Sequence, residues 1–78
     1  MSHRLYKLFA SILKIPEASV NDETSQANTP RWDSLASMNL VLALEEEYDV
    51  RIGTKDASEM KSIGIVKAVL VRKGVKDI

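Results

Sequence analysis

The sequence contains no cysteine. That absence excludes disulfides, thiolate metal sites, CxxC redox chemistry and a cysteine nucleophile. Small secreted domains usually depend on such staples, so a cysteine-free chain points to the cytosol. Net charge is missing too: eleven basic residues balance eleven acidic ones, with the single histidine neutral. A nucleic-acid binder normally carries a strong basic excess. Long apolar runs are absent, and the longest, Leu40 to Leu44, is far too short to cross a bilayer. Met1-Ser2-His3-Arg4 holds neither an apolar signal-peptide core nor a glycine for myristoylation. Gly53, Gly64 and Gly74 are scattered and form no phosphate loop. With His3 alone at the N-terminus and no GxSxG elbow around Ser34, a serine hydrolase is excluded by inventory. One histidine, and acids without EF-hand spacing, argue against a metal site.

What remains is an ordinary globular mixture, 45% hydrophobic and 28% charged over 78 residues. That length reads as one domain spanning 1–78. A chain so short buries only about 60% of its unfolded surface. No deep pocket between two lobes is available, so a partner or a covalent group is expected to supply any chemistry.

Periodicity predicts an all-α chain. Leu5, Leu8, Phe9, Ile12 and Leu13 form one helical stripe over residues 3–14, with Ser2 as N-cap and Pro16 as the stop. A long polar loop follows over 15–32, in which Val20 is expected to pin the chain to the core. Asp33 is a good cap for a helix over 34–48. A short turn of helix is expected over 55–61, capped by Thr54, and a last helix over 63–72, capped by Ser62 and ended by Gly74. The basic end (Lys67, Arg72, Lys73, Lys76) reads as a solvated helix terminus favoured by its own dipole rather than a nucleic-acid or membrane surface.

The helix over 34–48 is apolar on two sides. Leu40, Val41, Leu44 and Tyr48 cluster on one, and Leu35, Met38 and Leu42 on the other, with Asn39 and Glu46 among them. Either the helix is central and mostly buried, or the second strip is an exposed docking surface. Methionine, flexible and polarizable, suits a surface that accepts several partners. Glu45, Glu46 and Glu47 fill the last turn, where carboxylates oppose the helix dipole. That unfavourable placement suggests a recognition patch for basic partners. Ser34 sits at the helix start behind Asp33, where a phosphate ester would meet free N–H groups and the positive end of the dipole. From spacing alone the commoner reading is an ordinary helix-start serine.

The run Asp33-Ser34-Leu35, followed by Leu40-Val41-Leu42-Ala43-Leu44-Glu45-Glu46-Glu47-Tyr48, resembles the acyl carrier proteins. Val20, fourteen residues before Ser34, matches the family's loop valine, and Ile52, Met60 and Ile63 match its later apolar anchors. The resemblance implies a four-helix bundle with a long first loop. It implies a carrier, not an enzyme, with 4′-phosphopantetheine on Ser34 beside Asp33 and Leu35. Acyl groups would travel on that arm as thioesters between partner enzymes of fatty-acid, lipid or secondary-metabolite biosynthesis. The implied partners are a phosphopantetheinyl transferase and acyl-loading and acyl-processing enzymes, meeting a monomer. Asp33, Leu35, Met38, Leu42, Glu45 and Glu46 match partner-contact positions, and Asn39 lies on the same face. Neutral Ala36 and Asn39 stand where acids are common, Trp32 where a small residue is usual, Gly53 where proline is frequent and Lys67 where an apolar residue is frequent. These departures point to a specialised rather than a housekeeping carrier. Trp32 itself reads as a partly buried loop cover. An aminoacyl or peptidyl carrier, and an unmodified helical interaction module, are the alternatives.

Overall fold

Backbone geometry at Lys14 decides where the first helix stops. In a computed structural model, which describes residues 3–76 and 78, α1 runs His3–Leu13. Lys14 takes the left-handed conformation at φ 58, and the Ile15 N–H reaches back to the Ala10 carbonyl at 3.1 Å. This six-to-one bond closes a Schellman turn one residue before the expected end. The expected cap Ser2 lies outside the described residues.

A 3-10 turn at Glu17–Ser19 opens the loop, and α2 then spans Ser34–Tyr48. Asp33 caps it as expected, its Oδ1 accepting from the Ala36 N–H at 2.9 Å. α2 ends like α1, with Asp49 left-handed at φ 54 and the Val50 N–H on the Glu45 carbonyl. α3 is Thr54–Glu59 and α4 is Ile63–Arg72. Ser62 caps α4 as expected, and Gly74 at φ 94 follows its end. The expected boundaries of α3 need correction. Thr54 is its first helical residue and Gly53, without a side chain to offer, is the cap. Its end falls earlier than expected because Met60 leaves the helix to become buried, while the Lys61 carbonyl accepts from the Gln26 N–H.

The result is an all-α arrangement of four helices with a long first loop. Its core draws Leu5, Phe9 and Leu13 from α1, Leu40 and Leu44 from α2, and Ile63, Val66, Val69 and Leu70 from α4. Val20 is buried among them, so the loop is pinned where expected. The loop is also fastened to the start of α4. Thr24 and Asp22 offer backbone carbonyls to the Ile63 and Gly64 N–H groups at 2.9 and 3.0 Å, and Ser25 forms an isolated antiparallel bridge with Ser62. A β-carbon on Gly64 would approach the Asp22 carbonyl oxygen to 3.3 Å, which explains a glycine there. Among the described residues, no helix is long and apolar enough to cross a membrane.

Candidate functional site

α2 and α4 begin differently, and the difference isolates Ser34. The first N–H groups of a helix have no partner within it. At α4 the first three are met by Thr24, Asp22 and the Ser62 hydroxyl. At α2, Asp33 takes the Ala36 N–H with its carboxylate and the Ser37 N–H with its carbonyl. Among the described residues, no acceptor meets the N–H groups of Ser34 and Leu35. Ser34 is exposed, so its hydroxyl stands in solvent beside two free donors and the positive end of α2. A phosphate ester on that oxygen fits this environment, because both the donors and the dipole favour negative charge.

The residues ahead of Ser34 are held firmly. Trp32 is only 4% exposed rather than partly buried. Its ring packs edge-on against Phe9, with centroids 5.3 Å apart. Its Nε1–H donates to Ser37 Oγ at 3.0 Å, and Gln26 Nε2 donates to the same oxygen at 2.8 Å. Trp32 is therefore an anchor of the loop rather than a lid over it.

α2 buries one side and exposes the other. Leu40 and Leu44 are 2% and 0% exposed, whereas Leu35, Met38 and Leu42 are 68%, 65% and 62% exposed. Asn39 and Glu46 lie exposed with the latter strip, as does the cap Asp33. The acids of the last turn do not act as one patch. Glu45 is half-buried and its Oε2 accepts from the Ile52 N–H at 2.8 Å. Glu47 pairs with Arg4, whose Nη2 also donates to the Glu47 carbonyl at 2.7 Å and whose guanidinium lies over the Tyr48 ring. The Glu47 bond holds the Arg4 guanidinium more firmly protonated than usual. Thus the local cost of acids at a helix C-terminus is offset inside the fold for Glu45 and Glu47, leaving Glu46 directed to solvent. His3, beside Arg4 at the start of α1, faces Glu17 at 2.8 Å and is exposed.

A groove of about 510 Å³ lies against the inner edge of the exposed strip. Met38, Val41 and Leu42 contribute from α2, Ala57 from α3, and Phe9 and Trp32 from below. Ser37 and Thr54 are the hydroxyl-bearing side chains among its walls. Neither the groove nor Ser37 is marked by sequence spacing. A serine on a helix reads as solvated until α3 and Trp32 are placed beside it.

Residues 3–69 match the family model described as a phosphopantetheine attachment site. The chain belongs to that family. As a member it holds a domain of the phosphopantetheine-attachment type over residues 3–69. A chain of Schizosaccharomyces pombe described as a mitochondrial acyl carrier protein is 39% identical over 62 residues, or 78% of this carrier. The match spans 55% of that relative's own length. The solution structure of a holo acyl carrier protein from Geobacter metallireducens superposes with a TM-score of 0.80 at 25% identity, covering 94% of this carrier and 86% of that chain. The helices and loop that surround Ser34 are thus common carrier architecture.

Proposed function

We propose that Ser34 is the attachment residue and that the protein is an acyl carrier of a specialised biosynthetic pathway. The observation that carries this reading is Ser34 itself, an exposed hydroxyl at the start of α2 with two unmet backbone donors beside it. In the loading step, Ser34 Oγ forms the phosphoester bond and loses its proton while coenzyme A releases adenosine 3′,5′-bisphosphate. When bound, the phosphopantetheine arm supplies a terminal thiol that holds the passenger as a thioester. Asp33 fixes the helix start, so the hydroxyl is presented at a constant position. The free Ser34 and Leu35 N–H groups offset the charge of the phosphodiester.

Leu35, Met38, Leu42 and Glu46, with Asp33 and Asn39 beside them, form the surface met by a phosphopantetheinyl transferase and then by acyl-loading and acyl-processing enzymes. Glu45 contributes by shaping the end of α2. The apolar groove favours an acyl passenger over a polar aminoacyl one, because an alkyl chain buried there leaves water at about 0.8 kcal/mol per methylene. Neutral overall charge, with Ala36 and Asn39 on α2, favours a dedicated partner set over a broad housekeeping role.

The test is intact-protein mass after incubation with coenzyme A and a broad-specificity transferase. The expected result is a gain of one phosphopantetheine, lost in Ser34→Ala. An unchanged mass, under conditions that convert a control carrier, overturns the assignment. Partner binding indifferent to Ser34→Ala would instead favour an unmodified interaction module.

A further inference from the structure

Ser37 combines two properties that no other wall of the groove combines: it carries a hydroxyl, and both lone pairs of that hydroxyl are engaged. A serine oxygen has two lone pairs and one hydrogen. Trp32 Nε1 and Gln26 Nε2 donate to Ser37 Oγ from 3.0 and 2.8 Å. An indole N–H is a donor only, so the Trp32 bond has a fixed direction. With the Gln26 amide turned to donate, both lone pairs are filled and the Ser37 hydrogen is left to find an acceptor elsewhere. Ser37 is half-buried and lines the groove, where Phe9 and Val41 offer apolar side chains and Met38 only a weakly accepting thioether. It also lies one helical turn beyond Ser34, on the groove side of α2. A chain that folds back from Ser34 into the groove passes Ser37 first.

We propose that Ser37 is a specificity-determining residue of this carrier, donating its hydroxyl hydrogen to an oxygen on the passenger close to the thioester. The inference rests on acyl loading at Ser34. The passengers it favours are 3-oxoacyl and 3-hydroxyacyl groups over fully reduced ones. A reduced chain surrounds the Ser37 hydrogen with methylenes and leaves a donor unmet, which costs more than a normal hydrogen bond gains. An oxygen at the third carbon meets it. The amide carbonyls of the arm offer the same acceptor chemistry, and the two sources differ in their dependence on the passenger: an arm amide is present whatever the cargo.

The experiment loads Ser34 with hexanoyl, 3-hydroxyhexanoyl or 3-oxohexanoyl phosphopantetheine. Intact mass verifies each product first, so failure to load counts against the function proposed above and not against Ser37. Trp32 is the single tryptophan, so its indole N–H gives one resonance. In the unsubstituted carrier that resonance is expected to move between the hexanoyl and the oxygenated forms, because Trp32 donates to the oxygen whose own hydrogen becomes engaged. Cleavage by hydroxylamine is compared with the same thioester on free pantetheine. Protection is expected to be roughly threefold to tenfold greater for the oxygenated passengers than for hexanoyl. Ser37→Ala erases that difference, and Ser37→Thr, which keeps the hydroxyl, retains it. Equal protection and an unmoved indole resonance across the three passengers overturn the proposal, including the case in which an arm amide takes the hydrogen. So does a passenger difference that survives Ser37→Ala. Should Ser37→Ala fail to fold, the indole comparison in the unsubstituted carrier decides alone.

Discussion

Gly74 stands at φ 94, where the Val75 N–H turns back to the Leu70 carbonyl at 3.0 Å. A β-carbon there would meet nothing within 4 Å, so space is not the constraint and backbone conformation is. Gly74→Ala is expected to cost about 1 kcal/mol in chemical denaturation, because an L side chain disfavours the left-handed region. Lys14 and Asp49 also take positive φ, 58 and 54, with side chains present. Of the three, only Gly74 was readable from sequence. Asp33 and Ser62 were readable as caps for a similar reason, since their short oxygens bind helix-start N–H groups wherever they occur. Lys14 was not, because lysine has no local preference for the left-handed region and is placed there by the packing of Leu13 and Ile15. Thr54 was misread for the converse reason. It has cap chemistry, yet the extended backbone at Gly53 puts it one position too late.

At the scale of the helix, α2 divides core from surface along its length. Met38→Ala is expected to weaken modification by the transferase by about 1–2 kcal/mol in kcat/KM, and Glu46→Lys by about 0.5–1 kcal/mol. Both should leave the denaturation midpoint essentially unchanged, since both side chains are exposed. A loss of stability in either would place these residues in the core and count against the face. The two apolar sides of α2 were legible from spacing alone, but the choice between burial and exposure was not. That choice depends on α1 and α4 covering the side with Leu40 and Leu44 and on nothing covering Leu35. The acidic last turn was legible as unusual, and its explanation was not: Glu45 meets Ile52 and Glu47 meets Arg4, contacts 7 and 43 residues apart in sequence. The groove was hidden for the same reason, because it exists only once α3 and Trp32 are set against α2.

The molecule as a whole is tied together by ion pairs between sequence-distant segments. Lys67 of α4 reaches Asp22 in the loop at 2.5 Å and the Tyr6 hydroxyl of α1 at 3.1 Å. These contacts engage the Lys67 ammonium inside the fold. Hydrogen bonds from Lys67 and then Tyr6 hold the Asp22 carboxyl below the ordinary carboxylate range. Burial works to lower the Lys67 ammonium, but bonds to Asp22 and Tyr6 outweigh it and raise it. The depressed Asp22 value favours the folded state at pH above the ordinary carboxylate range, and that contribution is lost as pH falls through the folded value. Asp22→Asn is therefore expected to lower stability at neutral pH and to flatten its fall in acid, measured by denaturation at stepped pH. The effect is modest because the Asp22 side chain is 55% exposed. Lys67 adds no slope there, since a raised ammonium value is lost only at alkaline pH.

Arg72 and Lys73 likewise share Asp56, each at 2.7 Å, so basic residues at the end of α4 are answered within the chain. The charges cancel in total, and Arg4, Lys67, Arg72 and Lys73 are matched by acids within the chain, so the field from distant charges fades beyond one Debye length, about 8 Å at physiological salt. The partners proposed above are then expected to associate nearer the about 10⁵–10⁶ M⁻¹s⁻¹ of neutral surfaces than the rates of steered ones. Fidelity in such a system is decided after collision, by how long the apolar strip of α2 is retained, rather than by which molecules are drawn in.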